Sequence, residues 1–117
     1  TIEEINFAKK LMKEHNGIGI AAPQIGLKKK FFIMGDDVII HPTIVEESGD
    51  IIESVEGCLS IPNKLYVMKR HYNITAVCSL IENGEIVRKT ISTEGFGSVV
   101  FKHEYDHLFG LLIDRGR

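Results

Sequence analysis

The strongest constraint on the fold is a pair of alternating segments hinged on Asn83-Gly84. In Tyr72–Ile81, Ile74, Ala76, Cys78 and Leu80 alternate with Thr75, Val77 and Ser79, and Glu85–Ile91 follows the turn. A period of two collects one apolar row on one face of a strand. Asn-Gly favours the two-residue turn whose positive φ angles match strand twist. An antiparallel hairpin follows, with one face that needs cover. Further strands are expected at Lys30–Met34 and Val38–Ile40 around Gly35-Asp36-Asp37, at Ile44–Ile52 with a break at Ser48-Gly49-Asp50, and at Leu65–Lys69.

Two helical patterns supply the cover. From Thr1 to Asn16, the residues Ile2, Ile5, Phe7, Ala8, Leu11 and Met12 recur at helical spacing, with Thr1 as N-cap and Asn16-Gly17 as the stop. The second pattern runs from about Thr93 to Phe109 and closes at Gly110, after which Leu111–Ile113 reads as a short strand. Between the first helix and the strands, Gly17–Gly26 is small and apolar. Pro23 bars a helix from continuing through it, so an extended segment through the interior is expected. The sum is one α+β domain over residues 1–117, with antiparallel or mixed β-sheets packed around a central helix.

Composition narrows the function classes. A net charge of −2 across 117 residues gives no footprint for nucleic acid or an anionic membrane. No apolar run exceeds four residues, too short for a membrane span or a signal-peptide core. Two cysteines make no disulfide framework, which points to a reducing compartment or a functional thiol. The chain opens on a helix without an initiator Met, so a processed or trimmed N terminus is expected.

Three segments carry chemistry. His103-Glu104-Tyr105-Asp106-His107 is an H-E-x-x-H: on a helix, i and i+4 share a face, so both imidazoles reach one metal with a carboxylate beside it as base. Phe96, Val99 and Val100 stand one and two turns earlier on that face, which is therefore expected to be buried. Buried histidines need a partner, and a metal supplies one. Glu56-Gly57-Cys58-Leu59-Ser60 holds a cysteine whose thiolate would complete a His₂Cys set with its fourth position open to water. The bland alternative for Cys58, a small buried hydrophobe, is the role assigned to Cys78. In Gly17–Gly26 the only polar side chain is Gln24, a neutral amide able to donate to an oxyanion or to bond a neighbouring backbone group.

Together, Gly-Ile-Gly-Ile-Ala-Ala-Pro-Gln at 17–24, Glu-Gly-Cys-Leu-Ser at 56–60 and His-Glu-Tyr-Asp-His at 103–107 resemble the three signature motifs of peptide deformylases, in order and spacing, over nearly the whole chain. The resemblance implies a metallohydrolase that removes the N-formyl group from the formyl-methionine of nascent polypeptides and releases formate. It implies Cys58, His103 and His107 as metal ligands, with Fe²⁺ as the usual ion and Zn²⁺, Ni²⁺ or Co²⁺ as replacements. Glu104 is then the proton-transfer group, and the Gln24 amide and Leu59 N–H hold the oxyanion. Gly19 lets the substrate backbone lie close. Ile18, Phe96, Val99 and Val100 wall the methionine slot, and a Glu56–Arg70 pair holds the Cys58 loop. The implied setting is the cytoplasm of a bacterium or phage-infected cell, with a monomer acting on nascent chains and ribosome association undetermined.

The chain departs from the family pattern at Lys102, where Gln usually stands, at Leu65, where Arg is common, and at the tight turn 35–37. A short form is expected, without the usual segment before the first helix and without the C-terminal helix of many bacterial members, which resembles compact phage deformylases. Rival readings are weaker. An H-E-x-x-H peptidase needs a downstream third ligand, and the ten residues after His107 hold no His or Glu. A His₂Cys copper site would need Met34 or Met68 as axial ligand by chance. A silent module that binds formylated peptides leaves Glu104 and Gln24 without a purpose.

Overall fold

The computed structural model describes residues 2–14, 17–27, 29–58 and 61–108, without the side chains of 55, 57, 58 and 61–66. Helix α1 spans Ile2–Glu14 and buries Ile5, Ala8 and Met12, while acidic Glu3 and Glu4 occupy its first turn. Ile2 and Phe7, expected on the buried stripe, are exposed. The Gly17 N–H returns to the Met12 carbonyl at 2.8 Å and closes the helix. Thr1 and Asn16, expected at the caps, lie outside the described residues.

The expected extended segment is only three residues long. Strand β1 is Gly19–Ala21, and Ala22–Ile25 then forms a single 3₁₀ turn. Pro23 sits in the first turn of that short helix, where its missing N–H has no intrahelical partner to lose. It shapes this segment rather than excluding helix from it. Strands β2 (Phe31–Met34), β3 (Asp37–Cys58), β4 (Ile61–Glu82) and β5 (Glu85–Glu94) complete one antiparallel sheet in the order β1-β2-β3-β4-β5. No parallel pair occurs among the described strands.

Segments read separately in the sequence are continuous strands. The ladder between β3 and β4 shifts register between Ile40 and Thr43 and between Ser48 and Ile51. His41 at φ 47°, ahead of Pro42, and Gly49 at φ 81° lie within those two bulges. A bulge absorbs a proline or a left-handed residue without ending the strand. The Asn83-Gly84 hairpin is as expected, with φ 50° and 81° and Glu82 paired to Glu85. Helix α2 is Phe96–Leu108, starting three residues later than expected because Thr93 and Glu94 still pair with Ile74 and Asn73. Gly95, at φ 58°, turns the chain into α2 with its N–H on the Tyr72 carbonyl at 2.8 Å. The closing Gly110 and the short strand at 111–113 fall outside the described residues.

Two apolar clusters fasten the helices to the sheet. Ile5, Ala8 and Met12 of α1 pack with Ile20, Phe31, Ile33 and Val38. Phe101 and Leu108 of α2 pack with Phe32, Ile39, Ile74, Ala76 and Cys78, with Phe101 edge-on to Phe32 at 5.1 Å. Cys78 is fully buried there, and that burial pushes its thiol pKa up against the opposing charge of Arg88. No helix among the described residues is long and apolar enough to cross a membrane.

Candidate metal centre

Helix α2 carries His103, Glu104 and His107 to the interior. His107 and Glu104 are buried, and the His103 side chain is 11% exposed. One turn apart, the two imidazoles stand with ring centroids 5.0 Å apart and Nε2 atoms at 3.3 Å. Ligand atoms from all three residues lie within 4.8 Å of one another. Two nitrogens that each sit about 2.0–2.1 Å from one tetrahedral cation stand roughly 3.4 Å apart, so the observed pair fits a single divalent ion.

The orientation of His103 comes from the sheet. Its Nδ1 lies 2.7 Å from Oε1 of Glu56 on β3. Burial pushes the Glu56 carboxyl up, but hydrogen bonds from His103, Arg70 and Ser54 and the charge of Arg70 outweigh it and hold the pKa at about 2. An ionised carboxylate only accepts, so the His103 proton is on Nδ1 and the Nε2 lone pair faces His107. Arg70 of β4 grips Glu56 through Nη2 at 2.8 Å and Nε at 3.1 Å, and reaches Oδ2 of Asp106 with Nη1 at 3.1 Å. Burial alone would lower the Arg70 pKa; its bonds to both carboxylates raise it. The expected Glu56–Arg70 pair is present. The contacts from Glu56 to His103 and from Arg70 to Asp106 were missed. One signal for them lay in β4, where the inward row containing Met68, Ile74 and Ala76 is interrupted by a charge at Arg70.

Gly19 of β1 passes directly over Glu104. A Cβ at Gly19 would stand 2.7 Å from Oε2 and 3.1 Å from Cγ of Glu104. The glycine therefore makes room for this carboxylate, a reason the sequence did not disclose. Gln24 points its Oε1 at the Ala21 N–H, 2.7 Å away, which fixes the amide and turns its NH₂ the other way. Val99 and Val100 are buried within α2, but Phe96, expected on the buried face, is 69% exposed, because it is the first residue of the helix beyond the sheet's cover. Ile18 is exposed too. Leu59 and the Cys58 side chain lie outside the described residues; the Cys58 backbone pairs with Ile61, two positions along β3 from Glu56.

An H-E-x-x-H helix laid across an antiparallel sheet, with its first imidazole oriented by a buried carboxylate, defines a metallohydrolase-type site. The polypeptide deformylase family model matches residues 2–116, and the chain belongs to that family. Its members are metal-dependent hydrolases that remove the N-formyl group from the methionine of nascent polypeptides. Peptide deformylase 2 of Clostridium acetobutylicum is 45% identical over 106 residues, 87% of this chain and 68% of the relative. The chain is similar to the Synechococcus elongatus peptide deformylase in complex with actinonin, at TM-score 0.88 and 32% identity, covering 97% of this chain and 63% of that one. A probable peptide deformylase of synechococcus phage S-SSM7 matches at TM-score 0.87 and 28% identity, covering 97% and 81%.

Proposed function

We propose that residues 1–117 act as one catalytic domain in which His103, His107 and Cys58 hold a divalent metal and Glu104 moves the proton in deformylation of formyl-methionyl peptides. The observation that carries this reading is the clustering of His103, Glu104 and His107 within 4.8 Å, with His103 fixed by Glu56. Cys58 is the third ligand of choice because it follows Glu56 by two residues on the strand that already reaches His103. A bound divalent ion lowers the pKa of its water and so supplies hydroxide near neutral pH.

Glu104 is buried beside both imidazoles, placed to accept a proton from that water and deliver it to the departing amine nitrogen. The C–N bond of the formamide breaks, and formate and the free amino terminus leave. The Gln24 amide nitrogen, anchored through its own oxygen on Ala21, and the Leu59 N–H donate to the oxyanion as it forms. Gly19 serves the substrate backbone as well as Glu104. Val99 and Val100 form the floor of the methionine slot, with Ile18 and Phe96 at its exposed mouth.

Fe²⁺ is the native ion in this reading, with Zn²⁺, Ni²⁺ and Co²⁺ as working replacements. The protein acts as a cytoplasmic monomer on nascent chains, without direct nucleic-acid or membrane contact. Anaerobic loading with Fe²⁺ or Ni²⁺ and addition of formyl-Met-Ala tests the proposal through formate release. Turnover supports it. Stoichiometric metal without turnover overturns it in favour of a silent module that only binds formylated peptides.

A further inference from the structure

We infer that Lys102 is a positioning residue for His103, acting through Asp106, Arg70 and Glu56; this rests on the metal-site reading above. Two buried carboxylates share the Arg70 guanidinium: the side chains of Glu56 and Asp106 are 7% and 9% exposed. Three Arg70 nitrogens are already committed, two to Glu56 and one to Asp106. With Arg70 as its only cation, Asp106 would compete with Glu56 for that fork. Lys102, four residues earlier on α2, removes the competition by placing Nζ 3.1 Å from Oδ1 of Asp106, the oxygen that Arg70 does not contact. Two carboxylates and two cations then balance across the network, with three of the charges buried and the Lys102 ammonium, 27% exposed, at its edge.

The chain of contacts ends on the imidazole. Because Lys102 satisfies Asp106, the Arg70 fork stays square on Glu56, and Oε1 of Glu56 accepts from both Arg70 Nη2 and His103 Nδ1. The Lys102 ammonium also lies 5.5 Å from the centre of the Tyr105 ring, while Glu47 on β3 stands 4.0 Å away, beyond hydrogen-bond reach. Partners of this outer kind commonly change metal affinity by about 10–100-fold. Lys102 acts three contacts further out than Glu56, so the lower end of that range applies.

The test is release of Ni²⁺ to a competing chelator, read beside the thermal transition of the metal-free proteins. Lys102→Met is expected to lose Ni²⁺ about tenfold faster than wild type. Lys102→Arg should restore slow release, and Glu47→Gln should leave it unchanged. Nitrogen NMR of the metal-free protein should show a weakened preference for the Nδ1–H tautomer of His103 in Lys102→Met. Lys102→Gln repeats the measurement should the methionine variant not fold. Wild-type release from Lys102→Met, with only a lowered thermal transition, would make Lys102 merely structural and overturn the inference. A Glu47→Gln variant as leaky as Lys102→Met would overturn it too. Wild-type protein that holds Ni²⁺ yet releases no formate would sink the deformylase reading while leaving this one standing.

Discussion

Substituting Gly19 by alanine probes the contact between β1 and Glu104, and pairing it with Glu104→Ala separates that contact from any effect on the substrate backbone. Gly19 is not among the glycines at positive φ, so the backbone accepts an alanine and the effect is steric alone. The added methyl would sit 2.7 Å from Glu104 Oε2, 3.1 Å from Cγ and 3.2 Å from Cδ. To regain ordinary contact the carboxylate must retreat by about 0.7 Å from where the fold now holds it. Overpacking of this kind costs about 1–3 kcal/mol of stability. A misplacement approaching 1 Å at a reacting group costs up to about 10²-fold in rate. Gly19→Ala should therefore lower kcat about 10–100-fold while His103 and His107 keep their metal. The double variant Gly19→Ala/Glu104→Ala should be no less stable than Glu104→Ala alone, because the clashing atoms are gone. Denaturant titration and formate release on the four proteins complete the cycle. Full turnover by Gly19→Ala, or an additive stability loss in the double variant, would refute this account of the glycine.

Other consequences follow from the same contacts. Arg70→Met leaves Glu56 and Asp106 buried with less compensation and should destabilise the fold by about 3–5 kcal/mol, read by urea unfolding. Glu56→Gln keeps the shape but loses the carboxylate on His103, and metal affinity measured by chelator competition should fall about 10–100-fold. The Glu56 carboxyl is held at about 2 against an ordinary value of 4.5, so the folded state binds its proton less readily than the unfolded chain. The stability it contributes is complete above about pH 5 and is lost as the pH falls from there towards 2, amounting to roughly 3 kcal/mol. Acid unfolding of Glu56→Gln should show that much less pH dependence in this window.

The site was more legible than the strands. His103, Glu104 and His107 declared themselves because helical spacing alone puts two imidazoles on one face, and the structure brings their ligand atoms together. The Asn83-Gly84 hairpin was legible for the same kind of reason: a turn chemistry with a single geometric consequence. The continuity of β3 and β4 was not, because Pro42, Gly49 and the Arg70-His71 polar step read locally as interruptions. Only the pairing of two long strands shows that bulges absorb them. Phe96 reads as buried in the sequence and is exposed in the fold, because helical periodicity says which face a residue shares but not where the sheet's cover ends. The Glu56–His103 and Arg70–Asp106 contacts span 47 and 36 residues, a separation at which no local pattern reports contact.

In the proposed reaction one carboxylate, Glu104, moves the proton at a metal held by its neighbours. The most direct measurement sets metal stoichiometry and formate release from formyl-Met-Ala side by side, for wild type and Glu104→Ala, both loaded anaerobically with Ni²⁺. About one ion bound per chain is expected in each protein, with turnover reduced roughly 10²–10⁴-fold in the variant. Comparable turnover by the two proteins at equal metal content would contradict that role of Glu104.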